Sequence, residues 1–167
     1  MTGEVAFACE ISEDRKHASV VAAGRSGGGL VLIDLVFYDH PSGAVGRLDD
    51  LYGRHDPVSV VVDGRAQSAT LLAPLAERGV LVTQPSPQDV AVAHGEFLDL
   101  VNDGGMEHLG QVPLTAAVKA GQQRPLAGAQ AWDRRLAVDQ SPLVAATLAC
   151  WAFRRWEELS VPGVFAV

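Results

Sequence analysis

The apolar pattern of this chain changes period near residue 40, and that change limits the folds open to it. Before it, residues 5–11 alternate. Val5, Phe7, Cys9 and Ile11 share one face, while Ala6, Ala8 and Glu10 share the other. The polar turn 12–16 leads to a second strand over residues 17–23, and the glycine-rich stretch 24–29 is a hairpin loop before a long third strand over 30–38. Beyond residue 40 the apolar residues fall at helical spacing. Val45, Leu48, Leu51 and Tyr52 line one side of a helix over 41–55. The run Val58–Val62 is apolar on both faces, as in a central parallel strand covered on both sides.

The alternation of elements continues. Residues 67–78 read as a helix with Leu71, Leu72, Leu75 and Ala76 inward and Gly79 as its stop. Val80–Thr83 follows as a strand. Ser86-Pro87, with Asp89 three residues after the Ser, opens a helix that places Val90, Ala93, Phe97, Leu98 and Val101 inward and ends at Gly104-Gly105. Residues 106–109 fit a short strand, and 114–121 a short helix. Residues 126–138 read as irregular, with room for a short strand around Trp132. Ser141-Pro142 starts the last helix, which runs to about Leu159. A meander followed by strand–helix–strand–helix is an α/β arrangement. It predicts a mixed five-stranded sheet, three antiparallel strands and then parallel ones, with helices on both faces.

Composition narrows the classes. A chain of 167 residues with 48% hydrophobic content holds one domain, taken as 1–159 with a C-terminal tail over 160–167. No apolar run approaches the roughly 20 residues that span a bilayer. The start, Met-Thr-Gly-Glu, lacks the basic and apolar regions of a signal peptide. Cys9 and Cys150 sit in apolar segments, as small buried hydrophobes do in a reducing compartment. Zinc-ligand spacing and the P-loop pattern are both missing from the sequence. The five histidines, 17, 40, 55, 94 and 108, have no ligand spacing and are expected at the surface or as caps. A net charge of −7 disfavours a broad nucleic-acid-binding surface, though not a nuclease whose acidic centre meets phosphate through metal.

Three carboxylates stand out by position. Glu10 closes the first strand, Asp63 closes the run Val58–Val62, and Asp139 precedes the last helix. In mixed sheets, sites form at strand ends where the topology changes direction. Carboxylates that converge there repel one another until a cation neutralises them, and magnesium or manganese takes oxygen ligands of this kind. Taken singly, each of the three also fits a turn residue, a cap or a solvated side chain.

Two segments resemble a known family. One is Val60-Val-Val-Asp63 with its following helix, then Gly79-Val-Leu-Val82 and Ser86 to Phe97. The other is 124–148, above all Trp132 to Leu148. Together they resemble the C-terminal nuclease domain of the large terminase subunit of tailed bacteriophages, over about residues 4–157. The resemblance implies an RNase H-like fold and a metal-dependent endonuclease that cuts concatemeric double-stranded phage DNA during genome packaging. It implies two Mg²⁺ or Mn²⁺ ions, with Glu10, Asp63 and Asp139 as metal ligands and catalytic residues. The partners implied are double-stranded DNA, the terminase ATPase domain, the small terminase subunit and the portal protein, in the cytoplasm of the bacterial host cell. Since no motor motif is present, an excised domain is favoured over a separate nuclease polypeptide. Arg65, Arg134 and Arg135 are candidates for DNA phosphate contact, and a solvated or salt-bridged surface fits each of them equally. Two alternatives accompany this reading: another RNase H-like nuclease such as a junction resolvase, and a catalytically degenerate docking domain of the packaging machine.

The resemblance departs at its first acidic position, where the family usually carries Asp and this chain has Glu10. The extra methylene moves the carboxylate outward by about 1.5 Å, and magnesium is strict about ligand geometry. Glu10→Asp is therefore expected to raise the cleavage rate or shift the Mg²⁺/Mn²⁺ preference. An unchanged rate and metal profile in a plasmid-nicking assay would count against this.

Overall fold

The opening alternation builds an antiparallel meander of β1 (Thr2–Ile11), β2 (Ala18–Arg25) and β3 (Val31–Asp39). These elements come from a computed structural model, which describes residues 2–161, with side chains from residue 4. Helix α1 (Ala44–His55) returns the chain, and β4 (Ser59–Val62) then joins β1 in parallel. At the far edge, β5 (Met106–His108) pairs in parallel with β3. The result is the expected five-stranded mixed sheet, in the order β4-β1-β2-β3-β5.

Strand β4 lies at the edge of the sheet, not at its centre. Its outer side is nonetheless closed. Thr83 N–H donates to Val60 O at 2.7 Å, and Val62 N–H donates to Thr83 O at 3.2 Å. Val80–Thr83, expected as a strand, thus contributes one isolated parallel bridge, Val61 to Thr83. The segment is cut short from both ends. Gly79 turns in the left-handed region at φ +76° just before it, and Pro85, which has no N–H to donate, follows two residues on. Leu81, at 77% exposure, has no second layer to pack against.

The two faces of the sheet carry separate cores, as the alternation in β1 requires. Val5, Phe7, Cys9 and Ile11 pack against Leu48 and Leu51 of α1 and Leu71 and Leu75 beside it. The stretch 67–78 is a 3-10 turn (Gln67–Leu71) running into the short α2 (Leu72–Glu77), and Ala76 is exposed rather than inward. Pro74 accounts for the division, since its ring prevents one regular helix from running through. Ala6 and Ala8 face the other side, against α3 (Pro87–Asn102), α4 (Val112–Ala120) and α5 (Ser141–Ser160). The capping box of α3 forms as expected, with Ser86 Oγ accepting from Asp89 N–H at 3.0 Å and Asp89 Oδ2 from Ser86 N–H at 2.8 Å.

Some inward and outward assignments change. His94, expected at the surface, is 3% exposed and meets Trp132 edge-on with centroids 4.5 Å apart. Burial lowers its pKa and so favours the neutral imidazole. Val101, expected inward, is exposed. The short strand around Trp132 is β7 (Ala129–Trp132), and it forms an unexpected hairpin with β6 (Gln123–Leu126), which precedes the segment read as irregular. Trp132 Nε1–H donates to Thr147 Oγ1 at 2.8 Å, which ties the hairpin to α5. The tail expected from residue 160 begins at the last residue of α5, and residues 162–167 lie outside the described part. Among the described residues, no helix is long and apolar enough to cross a membrane.

One irregularity in the sheet matters for the site. Val21 pairs with Leu35, but Val20 pairs with Phe37, so Val36 is a bulge. An inserted residue reverses the facing of everything beyond it. Without the bulge Tyr38 would share a face with α1. With it, Tyr38 faces the side that carries Glu10 and α5.

The turn of the late hairpin puts Ala127 at φ +48° and Gly128 at φ +79°. Positive φ at both central residues is the requirement of a type I′ turn, and alanine meets it at a steric cost. Ala127→Asn should raise stability by roughly 0.5–1 kcal/mol, read as a higher urea midpoint at unchanged m-value. A lower midpoint would argue against this turn geometry.

Candidate metal centre and its cleft

Sheet register sets a row of polar side chains beneath the N-terminal end of α5. Glu10 pairs with Ser19, and Ser19 with Tyr38. Cys9 neighbours Val62 across the parallel pair, so Asp63 falls in step with Glu10. The row therefore runs Asp63, Glu10, Ser19, Tyr38 across four adjacent strands. Helix α5 is pinned over it by a 2.8 Å hydrogen bond between Ser19 Oγ and Ser141 Oγ.

Glu10 and Asp63 come together as the sequence anticipates. Both are buried, at 1% and 3% exposure. Between them lies Arg134, whose Nη2 donates to Asp63 Oδ2 at 3.0 Å and whose Nε stands 3.6 Å from Glu10 Oε1. Among the described residues, neither Glu10 oxygen has a hydrogen-bond partner, and nor does Arg134 Nε. Burial pushes the Glu10 carboxyl up to about 7. Arg134 opposes that shift and Asp63 adds to it. Burial alone would lower the Arg134 pKa, but Glu10 and Asp63 more than offset this and hold it above the ordinary range.

Asp139 is held differently. Its Oδ1 accepts from Ser141 N–H at 2.8 Å, and its Oδ2 accepts from Ser141 Oγ–H at 3.0 Å and Tyr38 O–H at 3.1 Å. Because Ser141 Oγ gives its proton to Asp139, Ser19 must be the donor in the Ser19–Ser141 bond. His17 stacks on Tyr38 with centroids 4.6 Å apart, and its Nδ1 is 4.0 Å from Asp139 Oδ2. Asp139 thus makes an Asx-turn bond to the first residue of α5, one position before the N-cap residue Gln140. Among the described residues, no group of three or more His, Cys, Asp or Glu side chains is disposed to hold a metal ion. The donor set at Glu10 and Asp63 nevertheless fits a divalent cation. It is all oxygen and buried, and both oxygens of Glu10 lack partners among the described residues.

Two openings border Arg134 and Arg135, and neither is lined by Glu10 or Asp63. One, of about 570 Å³, is lined by Arg65, Arg124, Arg134 and Arg135 with Glu13 and Asp133. The other, of about 370 Å³, lies against Ser12, Asp14, Arg134, Leu136 and Asp139. Arg135 is freely exposed at 85%, with Glu13 4.0 Å away. Arg65 is committed in part: its N–H and Nη2 both donate to Asp63 Oδ1, and Nη2 also donates to Pro85 O. Arg134, at 18% exposure, is an ion-pair partner of the acidic residues rather than a surface group. Arg124 joins this cleft through β6, whose Ala127-Gly128 turn lacks the usual hairpin signal. Tyr38 reaches the same side only through the bulge, which strand alternation alone does not reveal.

No family model matches the chain, and no curated protein is similar to it in sequence. Solved structures do resemble it. The HK97 bacteriophage large terminase superposes with a TM-score of 0.70 at 14% identity, over 91% of this chain. The chain spans 40% of that terminase's length. The magnesium-bound large terminase nuclease from thermophilic phage G20c gives 0.68 at 13% identity, over 88% of this chain and 80% of that one. The yeast mitochondrial Holliday junction resolvase Ydc2 gives 0.50 at 12% identity, over 92% and 80%. The fold is that of the terminase nuclease domains, an RNase H-like mixed sheet.

The buried Glu10 carboxyl predicts a pH signature of stability. Its pKa rises from about 4.5 to about 7 on folding, so between these values the folded state holds more protons than the unfolded state. Stability must then fall as pH rises through that window. In chelator, the melting temperature should drop between pH 5 and pH 8, and Glu10→Gln should flatten the drop. Equal pH profiles for the two proteins would contradict the assignment.

Proposed function

We propose that this chain is a metal-dependent DNA endonuclease of a phage genome-packaging terminase, cutting concatemeric double-stranded DNA with water as nucleophile. The observation that carries the reading is the Glu10–Asp63 pair. Two buried carboxylates on adjacent strand ends, one with both oxygens unpartnered among the described residues, share Arg134, which also lines an arginine-rimmed cleft. Resemblance in fold to terminase nuclease domains, one of them magnesium-bound, supports the same assignment.

In this proposal Glu10 and Asp63 hold Mg²⁺ or Mn²⁺, with Asp139 as the third ligand and two ions at full occupancy. The bound ions would supply Lewis-acid stabilisation of phosphate charge and lower the pKa of the attacking water. The chain's own residues do the rest. Ser19 and Ser141 fix α5 over the sheet, so that Asp139 stays close to the row. Arg135 and Arg124 place positive charge in the open cleft where a phosphodiester would lie, and such contacts position the backbone without reading sequence. The terminase ATPase domain, small subunit and portal are the proposed partners. A junction resolvase is the second reading, favoured by the likeness to Ydc2.

Plasmid nicking in Mn²⁺ should be abolished by Asp63→Ala, with activity in Mg²⁺ compared alongside. Activity that survives Asp63→Ala would remove the metal centre from the mechanism. Linear duplex and four-way junction substrates separate the two readings: preferential cutting of the junction would support a resolvase.

A further inference from the structure

The guanidinium of Arg134 stands where a cation shared by Glu10 and Asp63 would stand, and we propose that Arg134 is a displaceable internal cation that competes with the divalent ion. The inference rests on the metal-dependent reading above and deepens it.

Geometry gives the first reason. One planar group spans both carboxylates, 3.0 Å from Asp63 Oδ2 and 3.6 Å from Glu10 Oε1. The second reason is that the fit is incomplete. Guanidinium binds carboxylate best through two parallel N–H···O bonds, yet here it makes one bond to Asp63 and only an ion-pair approach to Glu10. Both Glu10 oxygens and Arg134 Nε remain buried without hydrogen bonds among the described residues. Arg134 therefore neutralises charge while leaving donors and acceptors unsatisfied, which is costly in a buried site. A spherical cation has no directional donors to waste and suits the same oxygens better.

Space gives the third reason. Arg134 borders both openings, of about 570 and 370 Å³, and is still 18% exposed. A displaced guanidinium has room to move into the arginine-rimmed cleft. There it would add to the positive charge facing a phosphate. In the protein without metal, Arg134 keeps two buried carboxylates from repelling each other. On metal binding that role passes to the ion.

Titration calorimetry with Mn²⁺ tests the competition. Arg134→Gln should bind Mn²⁺ at least about tenfold more tightly than wild type, the factor that corresponds to about 1.4 kcal/mol. Arg134→Lys, which keeps the charge, should fall between them. In chelator Arg134→Gln should melt below wild type, and Mn²⁺ should raise its melting temperature more. Equal or weaker Mn²⁺ affinity in Arg134→Gln overturns the proposal alone. Failure of both proteins to bind Mn²⁺ overturns the metal reading and the proposal with it. Should Arg134→Gln not fold, NMR of the wild type decides: the Arg134 Nε–H should lose its protection from solvent exchange at saturating Mg²⁺, and retained protection overturns the proposal.

Discussion

Everything around the acidic pair depends on how closely α5 lies on the sheet. The helix is buried from Ser141 to Phe153. Its contact face is built from small residues, including Ala145, Ala146, Ala149 and Cys150, and so is the sheet beneath it, with Ala6, Ala8 and Ala23. Small side chains on both surfaces let the backbones approach, and interiors packed this densely tolerate little added volume. That approach brings Ser141 within hydrogen-bond reach of Ser19, and the same contact holds Asp139 over the polar row. The packing of an apolar face thus sets the position of the charged one.

The electrostatics of the pair follow from that depth. At a surface, Glu10 and Asp63 would be screened by water and nothing would be demanded of their neighbours. Here both are nearly inaccessible, and a positive partner becomes a condition of their ionisation. The chain supplies one from a distant loop, 71 residues beyond Asp63. A chain of net charge −7 therefore carries a local concentration of arginine beside the buried carboxylates Glu10 and Asp63.

What the sequence discloses and what it hides follow physical lines. The meander is legible because alternation in β1 is a direct consequence of one strand serving two cores. Glu10 and Asp63 are legible because each ends an apolar run, and the parallel register then aligns them. The late hairpin is not legible. Its turn uses Ala127-Gly128 where Asn-Gly or Asp-Gly is the usual signal, and Pro125 interrupts its first strand. His94 reads as polar, and only the arrival of Trp132 from the hairpin gives it an interior to enter. Arg134 is the instructive case. Adjacent to Arg135 in sequence, it looks like half of a basic surface pair, yet one guanidinium is drawn into the protein and its neighbour stays in solvent. Long-range closure makes that distinction, and local composition carries no trace of it.

The single bridge from β4 to Thr83 bears on how the molecule behaves among its own copies. A sheet edge made of Ser59-Val-Val-Val62 is a strongly apolar, β-branched strand, the kind that recruits strands from other molecules. Thr83 takes the Val60 carbonyl and the Val62 N–H that such recruitment would use. Pro85, two residues later, cannot extend a ladder outward. One threonine thereby closes off a template for self-association, and leaves the strand that carries Asp63 apolar enough to stay buried.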